Sequence, residues 1–192
     1  MTDFWPTVGD YLILGFEHIL PRGLDHILFI LGLFLSTTRL MPLIWQVTAF
    51  TLAHSLTLAL AVLGLVTVPA HIVEPLIALS IAAVAAETLW QHSRGRPPSR
   101  WRPVIVFAFG LLHGLGFAGV LMELGLPTGA LAAALASFNI GVELGQIAVL
   151  LIAWALLHRF FARPWYGRAV VVPGAALIGA TGLYWTVERI LG

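Results

Sequence analysis

The chain contains no cysteine. Disulfides, thiolate metal ligands and thiol catalysis are therefore excluded. It contains no lysine either, so every fixed positive side chain is an arginine. Charged residues make up only 10% of its 192 positions, against roughly a quarter in a soluble domain. Methionine is scarce, at three. The opening stretch "MTDFWPTVGD" lacks a basic segment ahead of an apolar run. No cleaved signal peptide is expected, and the first hydrophobic segment should remain in the mature protein. The formal net charge of +1 offers no footprint for nucleic acid.

What fills the chain instead is apolar. Hydrophobic residues account for 59% of it, and the mean hydropathy is +0.95. Long apolar runs recur, each near the ~20 residues a helix needs to cross a bilayer. The expected fold is all-α: one polytopic transmembrane bundle over 1–192, with six spans at about 8–36, 44–64, 71–91, 103–123, 130–157 and 169–190.

The first span is long and contains "HILPRGLDHILF" (18–29). Pro21 cannot donate its backbone hydrogen bond and disfavours helix at Leu20. Residues 24–36 alone would reach about 20 Å, short of a full crossing. A broken or kinked span is expected, with a short half-helix near 9–19. Broken helices in membranes are tolerated where they line a cavity or bind a substrate. The plainer alternative is a proline kink that only aids packing.

Eight of the ten arginines fall in three connections: Arg39; Arg94, Arg96, Arg100 and Arg102; and Arg159, Arg163 and Arg168. Six spans put all three on one side, which the positive-inside rule makes cytoplasmic. Both termini then face out. The outer rim would carry Asp3, Asp10, His71, Glu74 and Glu123.

A short internal repeat is visible. "FTLAHSLTLA" (50–59) aligns with "FGLLHGLGFA" (109–118) at an offset of 59. The same offset matches Ser80 with Asn139 and Glu87 with Gln146. Spans two and three thus look like a parallel duplicate of spans four and five, with His54 and His113 equivalent. Such repeats are familiar in transporters.

Polar groups recur at one depth. From the arginine-rich ends, His54 lies ten residues in from 44, His113 ten in from 103 and Ser80 eleven in from 91. Asp25 and His26 lie ten or eleven in from 36, and Glu143 fourteen in from 157. At ~1.5 Å per residue these are depths of roughly 15–21 Å, near the middle of a core about 30 Å thick. Asn139, Glu143 and Gln146 form a stripe on one helical face. Ionisable groups at that depth cost about 2.5–3.5 kcal/mol each and normally face the bundle interior. The competing reading is a buried polar network that only holds helices together. Hydrogen bonds do this weakly in membranes.

Histidine and carboxylate, without cysteine, suit Ni(II), Co(II), Zn(II) or Fe(II) and disfavour Cu(I). Neutral imidazole is the commonest metal ligand, and a nearby carboxylate can orient it or balance the ion. The candidate ligands are His18, Asp25, His26, His54, His113 and Glu143. Residues expected to surround them or lead to them are Glu17, Ser55, His71, Glu74, Ser80, Glu87, Asn139 and Gln146.

Five stretches resemble the HupE/UreJ family of bacterial membrane proteins, and in particular its second subgroup. They are "GFEHILPRGLDHILFILGLFL" (15–35), "FTLAHSLTL" (50–58), "EPLIALSIA" (74–82), "FGLLHGLGFA" (109–118) and "FNIGVELGQ" (138–146). Beyond residue 150 no resemblance is evident. The resemblance implies a multi-pass protein of the bacterial inner membrane that handles nickel or cobalt, as a permease or a metallochaperone-like protein. Its partners would be the metal ion and the lipid bilayer, with a homo-oligomer or metalloenzyme-maturation proteins left open. The leading expectation is a divalent-metal permease. Metal would enter past Asp10, Glu17, His71 and Glu74, meet the central ligands, and leave toward Glu87 and Gln91. The alternatives are a zinc-dependent intramembrane hydrolase resembling alkaline ceramidases, with Ser55 and Ser80 near the metal, and a metal-free accessory scaffold.

Overall fold

A computed structural model of the chain describes residues 4–123, 127 and 129–192, apart from the side chain of Glu123. Asp3 and the Glu123 carboxylate, both expected on the outer rim, lie outside the described residues. The described residues form helices and turns without strands. The helices are α1 (Phe4–Ile19), α2 (Leu24–Leu35), α3 (Leu40–Val62), α4 (Ala70–Arg94), α5 (Arg102–Glu123), α6 (Leu131–Leu157) and α7 (Val172–Leu191). A 3-10 turn (His158–Phe160) follows α6, and a π-helical turn (Gly167–Val171) leads into α7.

Helices α3 to α7 are each long and apolar enough to span a bilayer. Pro42 and Pro103 sit in the first turns of α3 and α5, where a missing N–H breaks no helical bond. The first span is broken as the sequence suggests. α1 and α2 meet the same criterion only as a pair, and they are bent by 64°. The Leu20–Pro21 bond between them is cis. The protein is a multi-pass transmembrane helical bundle.

Close packing rests on glycine seams, as expected where lipid offers no hydrophobic drive between helices. α1 runs alongside α6. A Cβ at Gly15 would lie 1.9 Å from the Phe138 carbonyl oxygen, and one at Gly141 would lie 2.1 Å from that of Leu12. α3 and α5 run parallel. Gly110 fits against Phe50, Gly114 fits against His54 and Thr57, and the Thr57 hydroxyl donates to the Leu111 carbonyl at 2.8 Å. This register nearly reproduces the offset of the sequence repeat.

The two repeats interlock. α3 also packs on α6, and α5 on α4, so the second helix of each repeat lies against the first helix of the other. α1 covers α6, while α7 runs antiparallel along α4 with Gly182 against Ala78 and Ala82. α2 lies between the halves and touches α4, α6 and α7. The loops after α2, α4 and α6 gather at one end, where they share a cavity of about 500 Å³. This end carries eight of the ten arginines. One of them is not in a loop: Arg102, expected in the 94–102 connection, begins α5 and is 2% exposed.

Candidate metal centre

The break between α1 and α2 places His18 at the end of one half-helix and Asp25 and His26 at the start of the next. α3 brings His54 and α5 brings His113. The parallel α3–α5 register sets these last two at the same level. His26 lies between them, with ring centroids 5.9 Å from His54 and 4.9 Å from His113. The His18 ring is 4.8 Å from that of His26 and 6.2 Å from that of His54. One nitrogen from each of His18, His26 and His54 lies within 4.8 Å of the other two. His26, His54 and His113 are all buried.

The hydrogen bonds decide which nitrogen each imidazole presents. His26 Nδ1 donates to Asp25 Oδ1 at 3.2 Å, an oxygen that also accepts the His26 backbone N–H. His113 Nδ1 donates to the Phe109 carbonyl at 2.8 Å. His54 Nδ1 faces Asn139 Oδ1 at 3.3 Å. Asn139 commits its Nδ2 to the Leu135 carbonyl at 2.7 Å, so its oxygen is what the imidazole meets. Each acceptor fixes a proton on Nδ1 and leaves a lone pair on Nε2. The Nε2 atoms of His18, His26, His54 and His113 are all buried and none has a hydrogen-bond partner. Four buried imidazole nitrogens without partners, three of them held as acceptors, are costly unless something else engages them.

Aromatic rings pack closely on the cluster. Phe117 and Phe138 flank His18, while Phe29 and Phe50 contact His113. Phe29 meets both Phe50 and Phe109 on the arginine-rich side of the histidines. Phe50 and Phe109 are equivalent in the repeat, yet the sequence offered no reason to single them out from other core aromatics.

From the opposite end, a cavity of about 250 Å³ reaches His18, Asp25, His26 and His113. Glu74 and Arg189 line it near the ends of their helices, and the Arg189 guanidinium donates to the Glu74 carbonyl at 3.0 Å. Arg189 was not among the residues expected here. A second cavity, of about 390 Å³, borders His18 and Asp25 between α1 and α5.

Other expected residues stand elsewhere. Glu143 Oε1 accepts the Thr48 hydroxyl at 2.5 Å, one helical turn along α6 from Asn139, and its Oε2 is buried without a partner. It lies outside the group of three histidines. Gln146 accepts from Thr51 at 2.9 Å. Ser55 and Ser80 donate to carbonyls of their own helices, those of Thr51 and Ile77. Glu17 pairs with Arg22 at 3.0 Å on the exposed side of the break. His71 is exposed at the start of α4, as are His92 and His158 at the arginine-rich end. Glu87 lies near that end too, where its Oε1 accepts from Gln91.

A membrane-spanning bundle closed around buried imidazoles, with a polar cavity reaching them from one end, defines a multi-pass membrane protein with a candidate metal centre. The chain belongs to the HupE / UreJ protein family, which it matches over residues 1–189. The match thus continues past residue 150, where the sequence alone had shown no resemblance. No curated protein and no solved structure matches the chain.

Proposed function

We propose that the protein is a permease for a divalent transition-metal ion of the nickel or cobalt type, working in the bacterial inner membrane. The observation that carries this reading is the set of four buried Nε2 atoms without partners. Membership of a family associated with nickel and cobalt handling supports it. Imidazole donors suit Ni(II), Co(II) and Zn(II).

The positive-inside rule puts the arginine-rich end in the cytoplasm and both termini outside. The ion enters the cavity beside Glu74, where its carboxylate and that of Asp25 attract cations. It exchanges water for the Nε2 atoms of His18, His26 and His54, with His113 adjacent. Asp25 holds the His26 tautomer and balances charge from just behind the ligand. Glu143, Thr48, Gln146 and Thr51 form a separate polar seam between α3 and α6. Phe29, Phe50 and Phe109 close the way to the cytoplasm, so delivery requires these rings to part.

The test is single alanine substitution of each histidine, with bound metal counted in purified protein and uptake measured in proteoliposomes. Loss at His18, His26, His54 and His113, with tolerance at His92 and His158, is the expected pattern. Equal losses at His92 or His158 would move the site to the membrane surface. A histidine-bound zinc that does not exchange and does not cross would favour the intramembrane hydrolase instead.

A further inference from the structure

Arg102 is the largest fully buried side chain among the described residues. Its nearest charge partner is Glu87 Oε2, 3.7 Å from Nε, beyond hydrogen-bond reach. None of its three guanidinium nitrogens has a hydrogen-bond partner. A buried arginine kept for stability alone would be expected to fork onto its carboxylate with short bonds. Loose pairing of a desolvated charge is costly, and ionisable groups kept inside membranes generally mark ion paths.

The oxygens opposite are also poorly used. Glu87 Oε1 accepts from Gln91 Nε2 at 2.6 Å, one turn along α4. Gln91 is 4% exposed, and its Oε1 is buried with no partner. Gln91 and Thr88 line the cavity of about 500 Å³ formed by the arginine-rich loops. At the offset of 59, the counterparts of Arg102 and Glu87 are Leu43 and Gln146. Leu43 is fully packed in the core. The two matching positions in the other half of the bundle therefore carry no charge, and its one carboxylate there, Glu143, lies nearly a turn away from Gln146 and accepts from Thr48.

We propose that Glu87 and Gln91 form a second cation station, of oxygen donors, between the histidine cluster and the arginine-rich face, with the Arg102 guanidinium as its resident cation until a metal displaces it. The proposal rests on metal passing through the bundle. Carboxylate and amide oxygens suit a loosely held, readily exchanged divalent ion. Such a station would draw the ion from the imidazoles past the phenylalanine rings and release it to the wide cavity. Return of Arg102 to Glu87 would then expel the metal.

Co(II) titration of the full-length protein in detergent, followed by visible absorption, tests this. Wild type should take up only the nitrogen-bound Co(II). R102Q should gain one further equivalent with the weak bands of an oxygen-rich site, and R102Q/E87Q should lose it again. R102K should behave as wild type. A folded R102Q that gains no equivalent, or gains one that survives E87Q, overturns the proposal. Should R102Q fail to fold, the R102Q/E87Q pair, which leaves neither charge buried, decides by transport. Its Co(II) uptake into proteoliposomes should fall severalfold with the nitrogen-bound equivalent intact, and unchanged uptake overturns the proposal. The two readings fail separately. A wild type that binds no Co(II) at nitrogen contradicts the central site, while the comparison between wild type and R102Q still reports on the second station.

Discussion

His54 Nδ1 lies 3.3 Å from Asn139 Oδ1, and Asn139 cannot turn that oxygen away without setting two oxygens against each other at Leu135. One amide on α6 thereby dictates the tautomer of an imidazole on α3. The same logic holds at His113 through the Phe109 carbonyl and at His26 through Asp25. Three different acceptors enforce one outcome, a buried Nε2 with its lone pair free.

Replacing Asn139 by Leu should therefore weaken metal binding while leaving every histidine in place. Loss of an orienting partner typically lowers metal affinity about 10- to 100-fold. Competition titration against a chelator of known affinity measures this. An N139L variant with wild-type affinity would mean that His54 does not bind metal.

Gly114 and Gly119 lie five residues apart on α5 and should respond oppositely to alanine. A Cβ at Gly114 would sit 2.3 Å from both the His54 carbonyl oxygen and the Thr57 hydroxyl, whereas at Gly119 it would meet nothing within 4 Å. G114A should pry α5 from α3, at a cost of about 1–3 kcal/mol by analogy with overpacked cores. It should also pull His113 away from His26. G119A should be neutral or slightly stabilising, since alanine favours helix over glycine. Thermal unfolding in detergent, read beside metal binding, separates the two.

The arginine distribution predicts an orientation that can be checked directly. Ser99 lies in the loop between α4 and α5, beside Arg100. The chain has no native cysteine, so S99C supplies a unique thiol. Impermeant maleimide added to intact cells should leave it unlabelled, and permeabilised cells should label fully. Labelling from outside would invert the proposed direction of entry.

Much of this architecture is legible in the amino-acid sequence. Apolar run length marks the spans, and Pro21 with Gly23 marks the break. Counting residues from the arginine-rich ends puts His26, His54 and His113 at one depth, and the fold brings their rings together. Depth, however, says nothing about rotation. Glu143 shares its helical stripe with Asn139, yet it turns to Thr48 rather than to the histidines. Ser80, level with His54, spends its hydroxyl on its own helix. Arg102 looks like one more loop arginine because burial depends on how α5 packs against α4. The repeat announces two similar hairpins, but not that each packs its second helix on the other's first. Those features depend on contacts between distant segments, which local periodicity does not encode.

The central claim is that His18, His26 and His54, with His113 beside them, hold a divalent ion through Nε2. X-ray absorption spectroscopy of the Zn(II)-loaded protein addresses it most directly. The account predicts a first coordination sphere dominated by nitrogen at about 2.0–2.1 Å, with the outer-atom scattering of several imidazoles, and a marked loss of that scattering in H26A. A sphere made mainly of oxygen, or a spectrum unchanged by H26A, would contradict it.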